Sequence, residues 1–374
     1  MDISSDDADD WFMESLNTYK DLHLFHLEHA TKVIEWTRDK SICVAGCTGG
    51  KSEILELLLP LKLYAGDNQG LCGERDFKVQ HGGFSEEPVE SLIHIPGSRC
   101  VVTSGVSHSL QIWDLGGDYS DVIKKSGVIN VNSPSGGNRK ITPGFSESPS
   151  VLHGSCVRDV QLTEITTGQT LYTVGNDSSD SVSGLQFVNG SVFLICSSNG
   201  SLRLCDTRDP SSHYYPLEES SSKALHWSFG LKEDQSQSEP CCCSVARLSS
   251  SGDILLSDFR DLQQAVCQTQ INVQSNATKE SFLNISWAPV IKDCVSVSGF
   301  DGTVLIYNTT SWSRDTQSPQ PIFSHRGHEM SHEAESRKCS TVVTTHAWHR
   351  SRAKTLLSAA TDGSLQVWDW VDSH

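Results

Sequence analysis

The sequence predicts an all-β fold, a seven-bladed β-propeller whose last blade is closed by a strand from the amino terminus. The first observation is a repeat of about 50 residues, in which a strand of alternating character ends in an apolar residue followed by an acid or an amide. Five segments show the pattern clearly and 157–165 fits it more loosely; the five are 109–115, 201–207, 253–259, 303–309 and 364–370. A period of this length is typical of a propeller blade with long loops, not of a solenoid of helix pairs.

The second observation is the turn chemistry between the strands of each repeat. Three of the segments are preceded by Asn199-Gly200, Asp301-Gly302 and Asp362-Gly363, which favour two-residue hairpins because these residues tolerate positive φ. A further strand lies upstream of each hairpin, and no sustained helical period intervenes. The outermost strand of a blade has four candidates in the sequence, at 75–79, 169–174, 265–273 and 321–324. Each repeat therefore predicts an antiparallel sheet.

The third observation concerns the two ends of the chain. The first blade has strand candidates at 32–37, 41–45 and 53–59, whereas the chain stops just after the third strand of the last blade. An open sheet edge invites aggregation. A spare apolar segment before the first blade carries Leu22, Leu24 and Leu27. We therefore predict that this segment forms a closure strand, which pairs with the last blade and locks the ring.

The predicted domain organisation is one propeller with a short amino-terminal extension. Residues 1–20 are predicted to be an acidic tail and a short capping segment, and residues 21–374 to be the propeller. Long loops are predicted near 126–150, 209–240 and 325–340, which are rich in Ser, Gly, Pro or acids. Trp11, Phe12 and Leu16 have helical spacing, so they either cap the ring or insert into another protein. Capping is favoured because the segment leads directly into the predicted closure strand.

Charge and cysteine content limit the classes of partner and the compartment. The formal net charge of −17 would repel phosphate backbones and anionic lipid, so nucleic acid and membranes are poor default partners. The most apolar stretch, 42–63, contains four charged residues and is no bilayer-spanning helix. The thirteen cysteines show no Cys-x-x-Cys spacing, and the amino terminus lacks the pattern of a signal peptide. These features predict free thiols and a cytoplasmic location.

The main competing interpretation is nucleotide binding at 45–52, AGCTGGKS. This segment satisfies a relaxed phosphate-loop pattern and follows a strand. A phosphate loop needs a helix behind it, and here the downstream stretch 53–59 ends at Pro60. A blade hairpin with a Gly-rich turn explains the segment without a ligand. An RNA-binding propeller is a third interpretation, and it needs a basic patch that the sequence does not show.

Histidines cluster three times, and each cluster has a structural explanation. A spacing of three gathers metal ligands on a helix, but on a strand it sends side chains to opposite faces. No nucleophile with its base and no paired carboxylates have diagnostic spacing. We therefore predict no metal, no cofactor and no enzymatic activity. The clusters are His23, His26 and His29; His325, His328 and His332; and His346 and His349.

Two Trp-Asp pairs, together with Gly327-His328 upstream of the last repeat, resemble the WD-repeat family. That family joins a His, a Ser or Thr, an Asp and a Trp in a buried hydrogen-bond network. The resemblance implies such a structural network in the last blade, made by His328, Ser358, Asp362 and Trp368. It also implies repeat-signature roles for Trp113, Asp114, Asp206, Asp301 and Asp369.

The segments 9–16, 74–85, 298–304, 325–328 and 367–372 are similar to one particular family of WD-repeat proteins. The resemblance implies a non-catalytic, protein-binding scaffold that is monomeric outside its complexes. The implied partners are subunits of the RNA-cleaving module of the Integrator complex, their assembly factors, and tubulin or microtubules. The implied locations are the cytoplasm, the spindle pole during mitosis, and also the nucleus. Direct binding to nucleic acid or membranes is not part of this expectation.

Overall fold

The computed structural model describes residues 5–64, 75–107, 109–117, 119–131, 138–145, 148–175, 178–217, 226–232, 244–273, 280–313, 318–329 and 341–371. These residues form one α-helix and seven antiparallel sheets of four strands each. The first strand of every sheet contacts the first strand of the next, and the seventh contacts the first, so the sheets form a ring around a central channel. The predicted all-β, seven-bladed propeller is therefore confirmed.

The chain begins with α1 (Ser5–Thr18) and β1 (Tyr19–His26). Blade 1 contains, from the innermost strand outward, β2 (Thr31–Arg38), β3 (Ser41–Gly46), β4 (Ser52–Leu58) and β5 (Lys78–Ser85). Blade 2 contains β6 (Val89–His94), β7 (Cys100–Gly105), β8 (Ser109–Asp114) and β9 (Lys124–Asn130). Blade 3 contains β10 (Lys140–Pro143), β11 (Ser150–Gly154), β12 (Gln161–Glu164) and β13 (Thr170–Thr173).

Blade 4 contains β14 (Val182–Phe187), β15 (Val192–Ser197), β16 (Leu202–Asp206) and β17 (Asp209–Tyr215). Blade 5 contains β18 (Trp227–Leu231), β19 (Ser244–Ser249), β20 (Asp253–Asp258) and β21 (Asp261–Gln270). Blade 6 contains β22 (Asn284–Trp287), β23 (Cys294–Ser298), β24 (Val304–Asn308) and β25 (Phe323–His325). Blade 7 contains β26 (Val343–Trp348), β27 (Thr355–Ala360) and β28 (Ser364–Trp370), with β1 as its outermost strand.

Closure by the amino-terminal strand is confirmed. β1 pairs antiparallel with β28, with Leu22 opposite Trp368 and Leu24 opposite Gln366. The pairing extends past both ends of β1, because Leu27 N–H donates to the Gly363 carbonyl over 2.8 Å and Val371 N–H donates to the Thr18 carbonyl over 2.9 Å. Of the three predicted closure leucines, Leu27 is buried in the core between blades 7 and 1, Leu22 is half-buried, and Leu24 is exposed.

Apolar side chains pack between neighbouring blades, and the innermost strands are also joined by side chains that reach the next backbone. Trp36 Nε1 donates to the Trp348 carbonyl over 3.0 Å, and Trp348 Nε1 donates to the Ser286 carbonyl over 3.4 Å. Trp287 Nε1 continues the series to the Gly230 carbonyl over 3.2 Å. An innermost strand has no strand partner on its channel side, so such donors satisfy carbonyls that would otherwise depend on water.

Parts of the predicted loops and of the predicted tail are regular structure. The range 126–150 holds most of β9 and all of β10, and 209–240 holds β17 and β18. Their Ser-, Gly- and Pro-rich composition is typical of loops, but these short strands are stabilised by pairing with neighbouring strands of the sheet. Residues 5–10 of the predicted tail belong to α1. Most of 325–340 and residues 1–4 lie outside the described residues.

Two strand predictions are displaced. The outermost strand of blade 1 is Lys78–Ser85 and not 75–79. The two glycines of this strand do not indicate a strand from sequence. Glycine is nevertheless needed at Gly83, because a Cβ there would lie 2.5 Å from the Ile123 carbonyl oxygen. The loosely fitting segment 157–165 begins with a 3₁₀ turn, Val157–Asp159, and only Gln161–Glu164 is a strand.

Candidate partner-binding surface

The four predicted network residues of blade 7 lie in one buried cluster. His328 Nε2 is 2.7 Å from Ser358 Oγ, and Trp368 Nε1 donates to the same hydroxyl over 3.1 Å. On its other side, His328 Nδ1 is 2.7 Å from Ser364 Oγ, which donates to Asp362 Oδ1 over 2.6 Å. Burial lowers the pKa of His328 to about 4, so the ring is neutral at physiological pH. The network therefore links four segments through a neutral imidazole.

The closure strand is joined to this network by aromatic contacts. The Tyr19 hydroxyl is 2.9 Å from His325 Nδ1, and the His325 ring stacks on Trp368 at 4.3 Å. Burial raises the pKa of Tyr19 and holds the pKa of His325 well below its usual range, so both groups stay neutral. These contacts fix β1 to blade 7 by side chains in addition to the backbone ladder.

Ser364, Tyr19 and His325 were missed as network residues, although one of them had a signal. In blade 7 Asp362 Oδ1 accepts from both the N–H and the hydroxyl of Ser364. The same turn recurs at Asn199-Gly200-Ser201 in blade 4 and at Asp301-Gly302-Thr303 in blade 6. The repeated third position, Ser or Thr, identifies Ser364 from sequence. Tyr19 and His325 meet across 306 residues and have no local signal.

The repeat-signature residues are distributed around the ring and do not form one site. Trp113 Nε1 donates to Thr103 Oγ1 over 2.9 Å inside blade 2. The acids lie at strand ends or in turns, where each accepts a local hydrogen bond. Asp114 accepts from Gly116 N–H, Asp206 pairs with Arg208, Asp301 accepts from Thr303, and Asp369 is 3.2 Å from Arg352 Nη2. These contacts stabilise turns and strand ends.

Helix α1 combines an acidic sequence with two exposed apolar side chains at the rim of blade 7. Its 14 residues include five acids and no base. Trp11 packs against Tyr19, with the two ring centroids 6.5 Å apart. Met13 and Leu16 are 62% and 63% exposed. Trp11 therefore packs α1 against β1, while Met13 and Leu16 face solvent.

One further apolar residue lies next to these two. Val371 is exposed, and its N–H donates to the carbonyl of Thr18, at the end of α1. We call Met13, Leu16 and Val371 the blade 7 rim patch. Exposed apolar residues beside a strongly acidic helix are the kind of surface that protein partners cover.

The segment 45–52 does not have the structure of a phosphate loop. The segment contains the end of β3, a turn and the start of β4. The two strands pair antiparallel, with Ala45 opposite Ile54. Ser52 Oγ donates to the Thr48 carbonyl over 3.2 Å, so the hydroxyl stabilises the turn. No helix follows the Gly-rich loop, and hence no helix amino terminus faces a phosphate.

The histidine groups are spread over different strands and blades. His346, for example, lies 2.7 Å from both Ser296 and Ser298, and burial lowers its pKa to about 3. In the described part of the chain, no three His, Cys, Asp or Glu side chains are grouped as metal ligands would be. Within the same residues, the eight cysteines are free thiols, and no helix is long and apolar enough to cross a membrane.

Seven four-stranded blades, Trp-Asp strand ends and the His328 network define a WD-repeat β-propeller, a non-enzymatic scaffold type of protein. No family model matches the chain. The chain is 74% identical over 372 residues to the Integrator complex assembly factor WDR73 of Danio rerio, which covers 100% of this chain and 99% of that protein.

Two further relatives carry the same name. The Xenopus laevis protein is 41% identical over 363 residues and the Homo sapiens protein is 41% identical over 380 residues. These alignments cover 96% and 98% of this chain, and 97% and 98% of the relatives. The chain therefore belongs to the WDR73 family.

Proposed function

We propose that this chain is an assembly factor for the Integrator complex, acting as a non-catalytic platform that binds protein subunits. The observation that carries the proposal is the similarity to proteins named as Integrator complex assembly factors, which spans α1, β1 and all seven blades. The partners that we propose are subunits of the RNA-cleaving module and their assembly factors.

The blade 7 rim patch is the surface that we assign to this role. Interface affinity is concentrated in a few apolar anchors that lose contact with water, and acidic neighbours select a partner with a basic rim. Met13 and Leu16 supply the anchors, and the acidic sequence of α1 supplies the charge. Because Trp11 already packs on blade 7, the helix is held in place before a partner arrives, which lowers the entropic cost of binding.

The family resemblance extends the proposal to location and to a second set of partners. We include a cytoplasmic and a nuclear pool, a role at the spindle pole with tubulin or microtubules, and a monomeric state outside complexes. Imaging of the tagged full-length chain through mitosis, with a microtubule-depolymerised control, tests this part.

Co-expression with the subunits of the Integrator RNA-cleaving module tests the assembly role. We expect the full-length chain to co-purify with them, and the Met13→Asp/Leu16→Asp double variant to recover about tenfold less, because charged groups would be buried at the interface. Leu171→Asp on β13 is the matched control, since Leu171 is also an exposed leucine. Failure of the unaltered chain to co-purify would contradict the function, and equal recovery by the double variant would contradict the assignment of the surface.

A further inference from the structure

The central channel has a charged mouth at the end where the innermost strands begin. Lys32 and Glu90 are the second residues of β2 and β6, and Lys140 is the first residue of β10. These three strands belong to successive blades and contact one another around the channel. The Lys32 ammonium also lies 5.8 Å from the ring of Phe282, just before blade 6. This contact joins blade 1 to the segment before blade 6, past the innermost strand of blade 7, which indicates that the group lies at the mouth of the channel.

The charges at this mouth do not balance. Lys32 Nζ forms an ion pair with Glu90 Oε2, and Asn138 Nδ2 donates to the same oxygen over 3.1 Å. Among the described residues, Lys140 has no ion-pair partner and no hydrogen-bond acceptor. Within the described residues, this mouth therefore holds two ammonium groups and one carboxylate, which leaves an excess of one positive charge. This local excess is opposite in sign to the net charge of −17 on the chain.

The electrostatic environment of Lys140 agrees with this count. Burial lowers the pKa of Lys140, the nearby Lys32 lowers it further, and Glu90 opposes the change. A buried ammonium group is stabilised when an anion neutralises it. The channel mouth is open to solvent at Lys140, which is half-buried, so a small anion can reach the group.

We propose that this mouth of the channel is a binding site for a phosphate group, held between Lys140 and Lys32. A phosphate has several oxygen acceptors on one compact centre, and lysine ammonium groups bind it as point charges from different directions. The Phe282 ring forms an apolar wall beside Lys32. The phosphate comes either from a free small molecule or from a phosphorylated side chain of a partner. This site goes beyond the assembly role and is separate from the blade 7 rim patch.

Calorimetric titration of the full-length chain tests the proposal at constant ionic strength. The probes are inorganic phosphate, pyrophosphate, and a phosphoserine peptide compared with its unphosphorylated form. We expect saturable binding that weakens about tenfold or more in Lys140→Met, because a charged hydrogen bond is lost, and that persists in Lys140→Arg. Lys125→Met on the exposed face of β9 is the matched control and should bind as the unaltered chain does.

A second variant acts in the opposite direction. Glu90→Gln frees Lys32 from its ion pair and raises the local charge by one unit, so phosphate should bind several-fold more tightly. A preference for the phosphoserine peptide identifies a partner's side chain as the source, and binding of pyrophosphate alone identifies a small molecule. The site is disproved by absence of saturable binding with all probes, by unchanged binding in Lys140→Met, or by weaker binding in Glu90→Gln.

Discussion

Blade 7 and the junction between blades 1 and 2 both bury polar side chains, but the first network is built around a neutral imidazole and the second around an ion pair. In blade 7, a neutral imidazole bridges Ser358 and Ser364. At the junction, the fully buried Glu56 of β4 accepts two hydrogen bonds from Arg99, at 2.7 and 2.6 Å. Thr37 Oγ1 donates to the same carboxylate over 2.7 Å, and His81 Nδ1 is also 2.7 Å away.

The two arrangements join different parts of the chain. In blade 7, β1 pairs with a strand more than 300 residues later, and the side-chain network reinforces this backbone pairing. The Glu56 cluster joins two consecutive blades, whose connection the chain already provides. The comparison indicates that loss of β1 prevents closure of the ring. Loss of Arg99, in contrast, leaves the ring closed but leaves the buried Glu56 carboxylate without a compensating charge.

The largest effect is expected from deletion of residues 1–28. This change removes β1, exposes the edge of β28 and leaves blade 7 with three strands, so the protein should aggregate instead of melting cooperatively. Size-exclusion chromatography and thermal melting measure the outcome. Deletion of residues 1–17 is the control, because it keeps β1, and this variant should remain soluble. A soluble, cooperatively melting 1–28 deletion would show that closure does not depend on β1.

Arg99→Met should have the next largest effect, a loss of about 3 kcal/mol in the free energy of unfolding, because it leaves the buried Glu56 carboxylate without its cation. Hydrogen bonds from Arg99, Thr37 and His81 lower the pKa of Glu56 against the opposing effect of burial. Without Arg99 that pKa should rise, so the penalty should shrink as the pH falls and the carboxyl becomes neutral.

Denaturant unfolding at pH 7 and pH 5 measures this effect. Adding Glu56→Gln to Arg99→Met should restore part of the lost stability, since it removes the unpaired charge while keeping the side-chain volume. If Arg99→Met alone costs no more than an exposed substitution such as Arg208→Met, the ion pair contributes nothing to the junction.

The repeated parts of the fold could be predicted from the sequence, whereas the long-range side-chain contacts could not. Strand, turn and acid recur with a fixed period, so the blades and the need for a closing strand could be predicted. The buried Glu56 appears in the sequence only as a charge within an apolar stretch, and its partner lies 43 residues later in another blade. The same applies to Tyr19 and His325. Local patterns carry no information about which distant polar groups meet.

Only part of the blade 7 network could be predicted from the sequence. His328, Ser358, Asp362 and Trp368 match a family pattern, whereas Ser364 enters because its hydroxyl lies between Asp362 and His328. The position of α1 shows the same limit. Its acidic residues resemble a tail in sequence, and the contact between Trp11 and Tyr19 that fixes the helix depends on the folded blade.

The smallest expected effect is the difference in stability between alanine variants of two equally buried aspartates, Asp362 in blade 7 and Asp253 in blade 5. Asp362 holds Ser364 and, through it, His328, so Asp362→Ala should cost about 2 kcal/mol of unfolding free energy because buried donors lose their acceptor. Asp253 accepts from one hydroxyl, that of Ser249, over 2.8 Å, so Asp253→Ala should cost about 1 kcal/mol. Denaturant midpoints at pH 7 measure both.

Ser364→Ala distinguishes a network effect from a general effect of removing a buried acid. If the link runs through Ser364, this variant should lose a comparable amount of stability to Asp362→Ala, and the double variant should lose less than the sum, since both changes break one chain of hydrogen bonds. Ser251 lies in the turn of blade 5, at the position that Asp362 has in blade 7, and Ser251→Ala should be nearly neutral because the structure records only its backbone groups in hydrogen bonds. Equal costs for Asp362→Ala and Asp253→Ala, with additive effects of Asp362 and Ser364, would show that the blade 7 network is no more cooperative than an isolated turn.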